Sequence, residues 1–147
     1  MANNVILEVI TPSKLFYMGE VEMVIARPLS GYEGFMANHS WACKLLGTGK
    51  LMIKEKGKKE FKVAAISGGF IDIKDQFVVY TDAAEWADDI DIDRSKSVLE
   101  ANENWLKEHP AEEDTVANIL QARLTITKAT NRMKVAGEKD TKVNIRD

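Results

Sequence analysis

Short apolar runs at residues 5–10, 21–26, 51–53, 61–66, 70–73 and 77–81 fill the first half of the chain, with turn residues between them. Thr11-Pro12 and Gly19-Glu20 punctuate the early part, Lys56-Gly57-Lys58 reads as a hairpin loop, and Asp75-Gln76 reads as a two-residue hairpin turn. Apolar and polar positions alternate inside the runs. Val21, Met23 and Ile25 are expected to face inward with Glu22 outside; Phe61, Val63 and Ala65 alternate with Lys62 and Ala64, and Ile66 breaks the pattern. Strands repeating every 8 to 12 residues or so predict a β-sandwich or barrel.

The period changes near residues 83–89, where β-branched residues give way to small and acidic ones. Ile119, Ala122, Ile126, Ala129, Met133 and Ala136 then recur at steps of three and four, the seam of an amphipathic helix. Val116, Leu120 and Leu124 widen that seam at its start, while Gln121, Arg123, Lys128, Arg132 and Lys134 stay outside or at the edges. Val98, Leu99, Ala101, Trp105 and Leu106 offer a partner helix, and Glu108-His109-Pro110 separates the two. Asp91 suits the N-cap of the first helix and Gly137 the C-cap of the second. The expected fold is therefore an N-terminal β-sandwich, residues 1–84, followed by a C-terminal antiparallel two-helix hairpin, residues 85–137, and a polar tail, residues 138–147. Alanines at 122, 129 and 136 bury little area, so at about 25 cal/mol per Å2 the hairpin should dock only modestly.

Composition narrows the function classes. A chain of 147 residues makes one domain, or a small domain with an appendage, and 45% hydrophobic with 29% charged residues describes an ordinary globular protein. The net charge of -3 argues against nucleic-acid binding. Charge is segregated: Glu85, Asp88, Asp89, Asp91, Asp93, Glu100, Glu103, Glu108, Glu112, Glu113 and Asp114 form an acidic block. Arg123, Lys128, Arg132, Lys134, Lys139, Lys142 and Arg146 follow it. Cys43 is alone, which excludes an intramolecular disulfide and points to a reducing compartment. No signal peptide is expected at the N-terminus, and no apolar run approaches the roughly 20 residues of a membrane helix.

No residue set supports an active site or a metal centre. Gly68-Gly69 lacks the Gly-Lys-Ser/Thr of a phosphate loop and reads as a kink between adjoining strands. His39 and Cys43 lack a third, orienting residue, zinc spacings are missing, and the carboxylates sit in an exposed block where nothing would raise a pKa. The stretch from Gly31 to His39 has two readings: a turn held by its glycines, or a docking surface presenting Glu33 and His39 to a protein partner.

Taken together, the chain resembles the epsilon subunits of bacterial F-type ATP synthases, counterparts of the mitochondrial delta subunit. The resemblance is carried by residues 7–12, residues 31–39, Ser67-Gly68-Gly69-Phe70-Ile71-Asp72-Ile73, Asp82-Ala83-Ala84-Glu85, Ile90-Asp91-Ile92-Asp93-Arg94 and residues 131–135, in that order. It implies a non-catalytic rotor subunit, peripheral at the cytoplasmic face of the cell membrane. The sandwich would bind a gamma subunit and the loops of a c-ring. The hairpin would fold on the sandwich, or extend along gamma into the alpha/beta catalytic hexamer and hinder ATP hydrolysis.

The resemblance also implies sites. Some family members bind ATP on the folded hairpin through Ile-Asp-x-x-Arg-Ala and basic residues of the second helix. Here that maps to Asp91 and Arg94, with Ser95 in place of alanine, and to Glu85, Lys128 and Arg132. Lys128 stands for an arginine and Ala101 occupies another arginine position, which weakens bidentate phosphate recognition. ATP would be a regulatory ligand, with no cofactor required. Glu33 and His39 are the expected c-ring contacts, although Tyr32 stands where the family often has glutamate and Trp41 where it has proline. Lys134 would face the hexamer. The competing readings are an ATP sensor of the same fold and a generic β-sandwich interaction subunit.

Overall fold

The structure, a computed structural model, describes residues 3–110 and 115–137; the expected polar tail at 138–147 and the acidic residues 112–114 lie outside the described residues. Seven strands come first: β1 (Val5–Ile10), β2 (Leu15–Ala26), β3 (Glu33–Met36), β4 (Ala42–Glu55), β5 (Lys62–Ile73), β6 (Phe77–Tyr80) and β7 (Ala84–Trp86). A 3-10 turn at Ala87–Asp89 leads into α1 (Ile92–Glu108) and α2 (Val116–Ala136). The sheet runs β1-β6-β5-β4-β2-β3 and closes on itself because β1 also pairs with the first half of β2; β7 lies beside β5. This is the β-sandwich followed by a two-helix hairpin that the hydrophobic pattern predicts. β7 extends the sheet past residue 84, so the strands run beyond the 84/85 division drawn from the sequence.

The strands β2, β4 and β5 are long, and each is covered differently along its length. Leu7, Val9, Val21, Val24, Phe35, Leu51, Ile53, Ala64, Ile66, Ile71 and Phe77 fill the sandwich interior. Ile25, Met52, Val63 and Ala65 point to the opposite face and pack under Ala87, Ile90, Val135 and Ala136. A strand segment covered on both faces needs no polar alternation. That is why residues 63–66 are buried without a break and Ile66 departs from period two.

Two expectations change, one of side-chain direction and one of loop length. Val21 lies in the interior, but a register shift between Val21 and Met23 against β4 reverses the phase, so Val24 and Ala26 turn inward and Met23 and Ile25 face the helices. The loop after β5 spans three residues, 74–76, rather than two; the Lys74 N–H donates to the Gln76 carbonyl at 3.1 Å. Gly68 and Gly69 sit inside one continuous β5, at φ 83° and 122°, where the two shorter runs adjoin. Tyr17 donates to Glu55 Oε2 at 2.9 Å beneath Trp86. Burial first, then that hydrogen bond and the carboxylate charge, push its pKa well above the ordinary tyrosine value.

The hairpin also differs in detail. Ile119, Ala122, Ala129 and Ala136 are buried and Ile126 and Met133 half-buried, as the seam requires. Val116, Leu120 and Leu124 remain exposed, at 72%, 57% and 45%, and do not widen the buried face. At 100° per residue they project to the same side as Asn131 and Val135, but two to five turns earlier, where the sandwich does not reach. In α1, Val98, Leu99, Trp105 and Leu106 are half-buried against α2, while Ala101 is exposed and Asn102 takes the inward place, its amide donating to the Val98 carbonyl at 2.8 Å. Asp91 caps α1, accepting from the Arg94 N–H at 3.0 Å. Gly137 caps α2 with ordinary right-handed dihedrals, φ -76°, so its glycine is not required for a left-handed turn.

Candidate functional site

α2 joins the sandwich through one row of side chains. The Asn131 amide donates to the Gly49 carbonyl at 3.0 Å, Val135 and Ala136 close the apolar patch, and Arg132 grips Glu85. The Arg132–Glu85 contact is bidentate, with Nε to Oε2 at 2.9 Å and Nη2 to Oε1 at 3.1 Å. Glu85 lies on β7 and Arg132 in the penultimate turn of α2, so the pair bridges the two halves of the chain. Both side chains are about a third exposed, so water screens the pair and its worth is on the order of 1 kcal/mol.

The pair borders a cleft of about 280 Å3 whose walls include Ser67, Ala83, Glu85, Val98, Lys128 and Arg132. Three of the residues that the family resemblance assigns to a nucleotide, Glu85, Lys128 and Arg132, therefore meet at one place. Asp91 and Arg94 do not line it. The Asp91 carboxylate is engaged as the N-cap, and Arg94 is exposed one helical turn before Val98, on the same face of α1. Ser95, standing at the family's alanine position, is fully buried and donates its hydroxyl to the Asp91 carbonyl at 3.0 Å. A small side chain fits there, and the hydroxyl is satisfied within its own helix turn.

On the sandwich, Glu33 and His39 come together as well. Glu33 accepts two bonds from Lys44 Nζ, at 2.9 and 2.7 Å, and its carboxylate lies 3.8 Å from His39 Nε2. His39 packs edge-on against Phe35, and Nδ1 lies 2.7 Å from the Ser40 carbonyl. Asn38 supplies the turn, in the left-handed region at φ 67° that asparagine tolerates best after glycine. Glu33 is part of strand β3 rather than of a loop, and its partner Lys44 was not legible because the two sit on strands that are not adjacent. Cys43 is exposed on β4 and has no described hydrogen bond or ion pair with His39.

Lys134 lies on the opposite flank of the α2 contact and lines a second cleft with Arg27, Tyr32 and Lys50. Sequence reasoning also missed an exposed apolar row. Leu45, Phe70 and Tyr80 are in register across β4, β5 and β6, with Phe70 and Tyr80 stacked at 4.7 Å, and the row continues through Ile10 to the exposed Leu15. Ile10, Phe70 and Tyr80 fall inside the apolar runs and Leu15 and Leu45 outside them, so no single run marks the row. Among the described residues no group of three or more His, Cys, Asp or Glu is placed to hold a metal ion, and no helix is long and apolar enough to cross a membrane.

Comparison with known proteins gives these sites a context. The family model described as ATP synthase, Delta/Epsilon chain, beta-sandwich domain matches residues 4–87. The ATP synthase epsilon chain of Brevibacillus brevis is 42% identical over 109 residues, which is 74% of this chain and 82% of that one. The ATP synthase epsilon chain of Bacillus pumilus is 36% identical over 133 residues, 90% of this chain and 96% of that one. Among solved structures, a chain of the Euglena gracilis mitochondrial ATP synthase (OSCP/F1/c-ring) superposes with a TM-score of 0.73 over 89% of this chain and 80% of that one. Its identity is 21%, a likeness of fold.

Proposed function

This chain belongs to the delta/epsilon family of ATP synthase, and from that membership we propose that it is a non-catalytic central-stalk subunit whose hairpin regulates ATP hydrolysis. The observation that carries the regulatory part is the exposed stripe of Val116, Leu120 and Leu124. It continues the docking side of α2 beyond the sandwich, so the helix has more apolar docking surface than its present partner covers. A helix that alternates between the sandwich and an extended position against gamma and the alpha/beta hexamer needs such a surplus. It also needs a modest docked-state advantage, a few kcal/mol at most, and the row of Asn131, Arg132, Val135 and Ala136 is a contact of that scale.

The sandwich supplies the fixed joints. The Leu45–Phe70–Tyr80 row offers an apolar face for gamma, and Glu33 with His39 offers a polar tip for the c-ring loops. Contact with those partners would hold the chain at the cytoplasmic face of the membrane. Ending the chain after Asp89 and reassembling the complex is expected to raise its ATP hydrolysis while leaving gamma binding intact. Unchanged hydrolysis by the reassembled complex would remove the regulatory role.

A second reading concerns ATP, favoured by the convergence of Glu85, Lys128 and Arg132 on one cleft between sandwich and hairpin. Phosphates would draw Arg132 and Lys128, and Arg94 could reach in from the next turn of α1. ATP held there at ten times its dissociation constant would add about 1.4 kcal/mol to the docked hairpin. Calorimetry of the isolated chain with millimolar ATP is expected to show binding heat and a raised melting temperature, both reduced in Arg132→Lys. No heat and no thermal shift would rule this reading out.

A further inference from the structure

A cleft beside the exposed apolar row is walled by three stretches that the strands bring together, residues 10–12, 69–70 and 80–82. Ile10 and Pro12 supply an aliphatic wall, and the stacked rings of Phe70 and Tyr80, 25° from parallel, supply an aromatic one. Those two residues are a register pair of β5 and β6, and Gly69 next to them lets the strands close because it has no Cβ to meet the Tyr80 carbonyl. The cleft has a single charged wall, the exposed Asp82, and no Lys, Arg or His is among its described walls. Among the described residues, no hydrogen bond or ion pair reaches the Asp82 carboxylate. Ring faces and a carboxylate attract the same kind of group, a cation, and the aliphatic wall suits an apolar stem leading to it. A guanidinium meets all three demands, because it is weakly hydrated, stacks on aromatic faces and pairs with a carboxylate through two N–H groups.

We propose that this cleft receives an arginine side chain of the protein that covers the apolar face, with its guanidinium against Asp82 and the Phe70–Tyr80 rings and its stem along Ile10 and Pro12. The inference rests on the central-stalk reading, in which the covering protein is gamma, and adds the side chain that is recognised. The Leu45–Phe70–Tyr80 row supplies apolar area without direction. A fixed carboxylate at its side supplies register, since a partner displaced by one strand, about 4.8 Å, loses the ion pair. Docking also withdraws Asp82 from water, and a carboxylate covered without a donor is costly. The cleft therefore rejects a partner that has an apolar surface but no cation at this place.

The test is titration calorimetry of the full chain with purified gamma subunit at low and raised sodium chloride. The parent chain is expected to bind, and more weakly as salt rises. Asp82→Asn keeps the shape of an exposed side chain and should weaken binding about tenfold while flattening its salt dependence. Phe70→Leu keeps an apolar residue but removes the ring, and should weaken binding severalfold. Glu60→Gln, an exposed carboxylate in the loop before β5, should leave it unchanged. Unaltered melting temperatures for the three variants make the comparison one of binding. Parent affinity and parent salt dependence in both Asp82→Asn and Phe70→Leu would overturn the proposal while leaving gamma binding in place. Weakening by Phe70→Leu alone would make the cleft a purely apolar contact and overturn it too, as would self-association of the parent chain that Asp82→Asn abolishes. A parent chain that does not bind gamma would remove the central-stalk reading itself, and this inference with it.

Discussion

Gly69→Ala is expected to destabilise the sandwich by about 4 kcal/mol, a large part of the stability of a domain this size. Two effects combine. Gly69 has φ 122°, a region that side chains rarely enter, at a cost of about 1–3 kcal/mol. A Cβ there would also collide with the Tyr80 carbonyl, lying 2.8 Å from its carbon and 2.9 Å from Thr81 Cα. Those atoms are backbone in β6 and the residue after it, so relief means separating β5 from β6. Gly31 is the natural control: its φ is 115°, yet nothing lies within 4 Å of an added Cβ, so Gly31→Ala should cost only the backbone strain. Urea unfolding of the two variants separates collision from strain, and equal midpoints for Gly31→Ala and Gly69→Ala would remove the collision from the account.

What the sequence revealed and what it hid follow from the range of the interactions. Strands whose outer face meets water alternate visibly, as β1 does with Leu7 and Val9 inside and Glu8 outside. The first half of β4 was not legible, because Lys44 and Leu45 alternate against the usual sense, with the apolar residue outward. The seam of α2 was legible through period alone, but which flank of it is covered depends on where the sandwich ends, and nothing local records that. Site residues show the same limit. Asp91 was recognisable as a cap from its own neighbours, whereas the pairing of Glu85 with Arg132 joins residues 47 positions apart. Only the family resemblance put those two in one set.

Val135→Asp is expected to release the hairpin while leaving the sandwich folded. Val135 is fully buried between α2 and the sheet, beside Ile25, Met52, Val63 and Ala65. Its burial contributes about 2 kcal/mol, and the Asn131 hydrogen bond with the screened Arg132–Glu85 pair adds about as much again. An aspartate forgoes the first contribution and places a carboxylate in an apolar contact, which costs several kcal/mol unless the contact opens. Undocking is therefore the cheaper response. The sandwich interior survives because its main cluster contains no residue of either helix. Amide hydrogen exchange should show α2 losing protection while β1, β4 and β5 keep theirs. In the reassembled complex the freed hairpin should inhibit ATP hydrolysis more strongly than the parent chain, the opposite of ending the chain at Asp89. Full protection of α2 in Val135→Asp would mean that the docked state rests on contacts other than this row.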